Sequence, residues 1–376
     1  MRSAPLDGVR ALAVVAVLLY HAHYGWAAGG YLGVDVFFVL SGYLITGVLL
    51  STHRSWWGYR QFLVRRAVRL VPALAVAMVG VTWVALLTGV DAPLGRCGVA
   101  SLTYVMNLPF AEHLECPGMW HITWSLAAEQ QFYVVWPLLL AGLALLLVRV
   151  RPLARRAGVT SPADVRRRGL VVAALVALAL YGVSIVLQVV LRVQGHVRTA
   201  PLAFGPAGRC LVLLLGCALA LWAASRRTRR RAMRVRADAA TAAGALLLLT
   251  CVVTGASGTD LAHLWPLLAA ALASVLMVWG AVRATPGSVT QRVLGSAPLG
   301  WLGRVSYSLY LWHEVAYRLA EQVAPRGTVT AEVLRFVLAL LLASASYYLV
   351  ELPTQRAWRR RGEEPRLAGV PQTISA

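Results

Sequence analysis

Residues 6–26 read LDGVRALAVVAVLLYHAHYGW and residues 29–46 read GGYLGVDVFFVLSGYLIT. Each run approaches the roughly 20 mostly apolar residues that a helix needs to cross a bilayer core. Gly29, Gly30 and Gly33 open the second run and allow a tight turn between the two helices. The pattern recurs along the chain. Of 376 residues, 59% are hydrophobic and 14% charged, with a mean hydropathy of +0.66. That balance excludes a soluble globular domain and a disordered chain. Five cysteines in this length exclude a disulfide-rich secreted scaffold. The expected fold class is all-α, a polytopic transmembrane helical bundle of about ten spans. They are placed at 8–24, 32–51, 70–90, 119–148, 169–191, 207–225, 239–255, 264–282, 298–320 and 331–350. The fourth is too long for one straight crossing, so part of it must tilt or project. Polar residues recur along the first run in a pattern, which argues against a cleaved signal peptide.

Charge sets the expected sidedness. The chain has 36 basic and 15 acidic residues, a net +21, and no lysine. Nucleic acid is not the implied partner, because the arginines sit between apolar runs and not on a basic face of a soluble domain. Segments 52–69, 149–168 and 226–238 hold five, seven and seven arginines, whereas 25–31 and 256–263 hold none and 91–118 holds one. Under the positive-inside rule this alternation places both termini in the cytoplasm. A transmembrane domain over 1–356 would then be followed by a basic cytoplasmic tail over 357–376, expected to be disordered. Cys97 and Cys116 fall in a loop assigned outside, where a disulfide and two separate thiols are both open. Cys210, Cys217 and Cys251 lie in apolar spans and are read as packing residues. No cysteine/histidine spacing indicates a metal site, and no nucleotide-binding or nucleophile-elbow motif is present.

Ionisable groups inside apolar spans cost roughly 2.5–3.5 kcal/mol on insertion scales and are functional candidates by default. Arg10 and His21 are eleven residues apart, so they share one helix stripe about 16 Å long. A fixed cation at one end and a titratable base at the other suit an elongated anionic ligand. The competing reading is an arginine anchor and an interfacial histidine. Asp35 is expected at the depth of His21, where a carboxylate would fix the imidazole tautomer. Glu129, followed by Gln130 and Gln131, falls near the bilayer middle and must face protein or a wet cavity. His313 and Glu314 match the depth of His21 from the ninth span. The segment SWWGYRQFLVRRAVRLVPAL (55–74) reads as an interfacial helix with aromatic anchors, and its Arg65, Arg66 and Arg69 suit phosphate or lipid headgroups.

These motifs together resemble the acyltransferase-3 family of integral membrane O-acyltransferases, of the bacterial O-antigen acetylase type. LDGVRALAVV with His21 is similar to its opening motif, a basic residue, ten positions and a histidine. GYLGVDVFFVLSGYLIT (30–46), FLVRRAVRLVPAL (62–74), HITWSLAAEQQFYVVWPLL (121–139), LGRVSYSLYLWHEV (302–315) and SYYLVELP (346–353) resemble later motifs in order, over residues 6 to about 356. Gln130 stands where the family pattern has a second glutamate, which puts any role needing that carboxylate in doubt.

The resemblance implies a multi-pass protein of the bacterial plasma membrane with no bound cofactor. Its co-substrate would be cytoplasmic acyl-CoA, by default acetyl-CoA. The acceptor would be a carbohydrate, a glycolipid or a glycosylated small molecule. It implies Arg10 at the donor's phosphates, with Arg65, Arg66 and Arg69 as further candidates. His21 would be the general base, with a covalent acyl-histidine as the rival mechanism. Asp35 would orient His21, and Glu129 would orient the acceptor or complete the polar cavity. His121, Ser306, Tyr307, His313 and Glu314 are candidates for the acceptor site or its cavity. Many relatives carry an extracytoplasmic SGNH-type domain after the membrane part. The short tail is expected to mean that transfer is completed in the membrane domain or with a separate extracytoplasmic partner. The competing functions are a transporter or flippase for a glycan or lipid intermediate and a non-catalytic scaffold. No internal repeat and no paired helix interruptions favour the transporter.

Overall fold

The computed structural model describes residues 3–51, 56–89, 94–108, 116, 118–149, 161–193, 209–226, 234–255 and 264–367. All regular structure among them is helical. In chain order the helices are α1 (Ala4–His21), α2 (Gly33–Ser51), α3 (Trp56–Leu87), α4 (Leu94–Leu102), α5 (Gly118–His121), α6 (Trp124–Arg149) and α7 (Pro162–Val193). They continue as α8 (Leu213–Ser225), α9 (Arg234–Thr254), α10 (Leu264–Arg283), α11 (Val289–Leu294), α12 (Ala297–Val323), α13 (Val329–Ser346) and α14 (Leu352–Leu367). Among the described residues eight helical stretches are long and apolar enough to cross a membrane, so the chain is a multi-pass membrane protein. The other two expected spans are also helical. One is α8, 13 residues entered through a 3-10 turn at Arg209–Val212. The other is α12, long enough at 27 residues but too polar to pass by hydropathy. Its Ser306, Ser308 and His313 are buried in protein, as ionisable and polar groups at that depth require.

The structure departs from the sequence reading in several places. The arginine-rich segment before the third span is no separate interfacial helix, because α3 runs unbroken from Trp56 to Leu87. The long fourth span is neither straight nor merely tilted. It breaks at Ile122 and Thr123, between α5 and α6. The Ile122 carbonyl freed there accepts a hydrogen bond from the Tyr310 hydroxyl at 2.8 Å, which satisfies backbone that lipid could not. α14 runs on to Leu367, and residues 368–376 of the expected tail lie outside the described residues. Cys97 and Cys116 are joined in a disulfide, with Cα atoms 5.8 Å apart. Cys210, Cys217 and Cys251 are buried thiols.

α1 and α2 form the centre. Of their most apolar windows, 56% and 61% are buried, against 11% for the fourth span and 22% for the fifth. Val79, Trp83, Leu145, Leu175 and Val183 on α3, α6 and α7 face outward, as lipid-facing positions do. Without a hydrophobic drive between helices in lipid, close backbone approach becomes the main source of packing energy. The α2–α8 contact shows it. A Cβ on Gly42 would lie 2.0 Å from the Leu213 carbonyl oxygen, and one on Gly216 would lie 1.9 Å from that of Val39. Gly216→Leu is therefore expected to lower the thermal midpoint of the purified protein, by an overpacking cost of about 1–3 kcal/mol. Gly142→Leu, on exposed α6 with open space at its Cβ position, should leave it unchanged.

Candidate active site

α1 and α12 run parallel along one seam, because their contacts advance together. A Cβ on Gly303 would lie 1.9 Å from the Asp7 carbonyl oxygen. Arg10 donates from Nε and Nη2 to Ser306 Oγ at 3.2 and 3.1 Å, and from Nε to the Gly303 carbonyl at 3.2 Å. Further along, His21 meets His313 at 3.2 Å. On α12 the residues Ser306, Tyr310, His313 and Tyr317 recur every three or four positions, so one stripe faces α1. Two polar layers result, joined by both helices.

The first layer is a cavity lined by Arg10, Arg66, Arg69, Glu129, Ser41 and Tyr133, together with Ser306, Tyr307 and Tyr310 of α12. Glu129 accepts from Ser41 Oγ at 2.7 Å and from the Tyr133 hydroxyl at 3.0 Å. The Arg66 guanidinium lies 4.7 Å from the Tyr133 ring centroid. Tyr307 donates to the Leu70 carbonyl at 2.9 Å. Arg69 Nε is buried with no hydrogen-bond partner among the described residues. Three guanidiniums and one carboxylate line the cavity, a setting for an anionic ligand.

The second layer is His21, His313 and Glu314, near the end that carries the disulfide. His313 Nδ1 lies 2.7 Å from the Tyr310 carbonyl oxygen, and His21 Nδ1 lies 3.0 Å from that of Val17. A carbonyl only accepts, so each Nδ1 carries the hydrogen. His313 Nε2 then offers a lone pair, and the single His21 Nδ1 hydrogen is shared between it, at 3.2 Å, and the Val17 carbonyl. His21 Nε2 keeps its own lone pair and faces Glu314 Oε1 at 3.9 Å. This is the tautomer a general base needs. Ligand atoms of the three residues lie within 4.8 Å of one another, in keeping with the shared depth expected from the sequence.

Asp35 does not join this layer. Expected to orient His21, it is fully buried and gripped by Arg209, with Nε to Oδ1 at 2.8 Å and Nη2 to Oδ2 at 2.7 Å. Arg209 also donates to the Tyr31 carbonyl at 2.8 Å and stacks 4.8 Å from the Tyr31 ring. A bidentate guanidinium outcompetes a neutral imidazole for a buried carboxylate. His21 is positioned by Val17 and His313 instead. Arg65 is exposed on α3, about 100° around the helix from Arg66, and does not line the cavity. His121 closes α5, half-buried.

Ser41, Tyr133, Ser125, Tyr310 and Arg209 were not singled out from sequence. Tyr133 had a signal, four residues after Glu129 on one helix face. Ser125 and Tyr310, hydroxyls 2.8 Å apart across α6 and α12, had none. Asp35→Ala is expected to act on folding and not on chemistry. It leaves Arg209 as an uncompensated buried charge, at a cost of about 3–5 kcal/mol. The yield of folded protein should fall while the rate per folded molecule is kept. A normal yield with a lost rate would return Asp35 to the catalytic group.

Residues 4–350 match the Acyl_transf_3 family model, described as an acyltransferase domain. The peptidoglycan O-acetyltransferase OatA of Listeria monocytogenes is 31% identical over 369 residues, 93% of this chain and 55% of that protein. The O-acetyltransferase OatA of Staphylococcus aureus is 29% identical over 372 residues, 93% of this chain and 57% of that protein. YrhL of Bacillus subtilis is 30% identical over 381 residues, 95% and 56% of the two chains. The chain thus spans a little over half the length of these relatives. No solved structure matches. A match that runs through both polar layers and nearly the whole bundle is decisive, and the chain belongs to the acyltransferase-3 family of membrane proteins.

Proposed function

We propose that this chain is an O-acyltransferase that moves an acyl group, by default acetyl, from cytoplasmic acyl-CoA to a hydroxyl of a carbohydrate acceptor. The observation that carries this reading is the joining of an arginine-lined cavity and a histidine base by one helix, α1. Arg10, Arg66 and Arg69 suit the donor's phosphates. The roughly 16 Å from Arg10 to His21 suits its extended pantetheine arm. Tyr310 lines the cavity and its ring lies 5.7 Å from that of His313, so it stands between the two layers. Two independent features support the sidedness. Arginine-rich loops favour the cytoplasm at one end, and the Cys97–Cys116 disulfide suits an oxidising compartment at the other.

In the reaction, the acceptor oxygen attacks the thioester carbonyl while its proton passes to His21 Nε2. The C–S bond breaks. The leaving thiolate recovers that proton from the imidazolium, which gives an ester and free CoA thiol. Glu314, 3.9 Å away, favours the transient imidazolium, and His313 holds the ring in place. Glu129 belongs to the arginine cavity, where it sets the local charge, and not to the proton-transfer pair.

Two measurements on protein in nanodiscs test the reading by thiol release from acetyl-CoA. His21→Ala is expected to reduce release by about 10²–10⁴-fold with normal insertion, and full activity would reject His21 as the base. Arg10→Ala is expected to raise the KM for acetyl-CoA while Arg65→Ala, which faces outward, leaves it unchanged. Equal KM values in both variants would remove the phosphate role of Arg10.

A further inference from the structure

Immediately beyond His21 the chain makes a turn that the reaction described above does not use. His23 adopts a left-handed backbone conformation at φ 60°, an uncommon state for a residue with a side chain. The turn Gly25–Ala27 follows. Ala27 is fully buried and its N–H donates to the Tyr24 carbonyl at 2.9 Å. The Tyr24 hydroxyl donates to the Glu332 carboxylate. The backbone is therefore pinned on both sides, yet Trp26 between them leaves 53% of its surface exposed. The Tyr24 and Trp26 rings stack at 5.7 Å and 16°.

The surroundings of this aromatic pair are ionic. Arg335 bonds Glu332 at 3.0 Å and Glu321 at 3.4 Å, and Glu321 in turn holds Arg326 at 2.7 Å. Arg335 also donates to the carbonyl of Ala22, the neighbour of His21, at 3.4 Å. A tryptophan serving only as a membrane anchor lies against acyl chains. This one is backed by a tyrosine and edged by a chain of carboxylates and guanidiniums, five residues beyond the base.

We infer that Tyr24 and Trp26, with the Glu332–Arg335–Glu321 edge, form a subsite for a pyranose ring of the acceptor. The inference rests on the acyltransferase reading above and names where its carbohydrate is held. A sugar ring has an apolar face of C–H groups and a rim of hydroxyls. The face stacks on an exposed, rigidly held indole, and the rim is met by the carboxylates of Glu332 and Glu321, which the buried Arg335 holds in place between them. A ring seated here places a neighbouring hydroxyl of the same glycan toward His21 Nε2 and Glu314.

The test uses the full chain in nanodiscs with chitotetraose, a β-1,4-linked N-acetylglucosamine oligomer, as the probe. Acetyl-CoA thiol release is measured with and without it, and binding is read by saturation-transfer NMR. The expected result is saturation transfer to chitotetraose in wild type and a probe-stimulated rate. In Trp26→Ala the KM for chitotetraose should rise about tenfold, with the KM for acetyl-CoA and the probe-free release unchanged. Trp26→Phe should restore most of the affinity. Trp265→Ala, at another exposed tryptophan, should match wild type. Identical losses in Trp26→Ala and Trp265→Ala, or turnover in wild type with no saturation transfer to the probe, would overturn the subsite and leave Trp26 a membrane anchor. Loss of His21-dependent thiol release would instead defeat the acyltransferase reading, while saturation transfer still judges sugar binding separately.

Discussion

The polar chemistry of this bundle hangs on the seam between α1 and α12. Hydrocarbon gives a buried arginine, histidine or carboxylate no partner, so such groups must meet one another or backbone carbonyls within the protein. Gly303 lets the two helices approach until its missing Cβ would strike the Asp7 carbonyl. That contact brings Arg10 to Ser306 at one level and His21 to His313 at another. Both layers of the site therefore depend on one close approach between two parallel helices.

The remaining helices support that seam in different ways. α2 and α8 lock through reciprocal glycine contacts at Gly42 and Gly216. Asp35 and Arg209 add a buried ion pair between them. Breaking such a pair leaves a stranded charge, so it specifies the arrangement more than it adds net stability. α3 and α6 close the cavity by presenting Arg66, Arg69, Glu129 and Tyr133 to it. The interruption between α5 and α6 frees the Ile122 carbonyl, and the Tyr310 hydroxyl satisfies it. The same tyrosine stands where the cavity meets the histidines, so the break and the site share one side chain.

The chemistry follows from asymmetry along α1. Its lower end carries a fixed cation in a cavity lined by three guanidiniums and one carboxylate. Its upper end carries an imidazole whose Nδ1 faces the Val17 carbonyl, next to His313, whose Nδ1 faces the Tyr310 carbonyl. Those carbonyls need no particular side chain, which explains why sequence reasoning looked to Asp35 for a task that the backbone and a second histidine perform. The aromatic turn Gly25–Ala27 continues the chain immediately beyond His21.

The sequence alone determined the class of the molecule. Runs of about 20 apolar residues and alternating arginine-rich loops imply a helical membrane bundle, because helix length and charge placement are local properties. The Arg10–His21 stripe was legible for the same reason, since both residues ride one helix with a fixed rise and rotation. So was the grouping of His21 with His313 and Glu314 by depth. Depth does not fix rotation about the helix axis or the choice among neighbours. Asp35 lies at a compatible depth yet turns to Arg209, and Arg65 sits beside Arg66 yet faces outward. The break at Ile122, the Ser41–Glu129–Tyr133 group and the Cys97–Cys116 pairing likewise required tertiary structure. Which polar groups meet is decided by helix rotation and by competition for a few buried partners, and both are properties of the packed bundle.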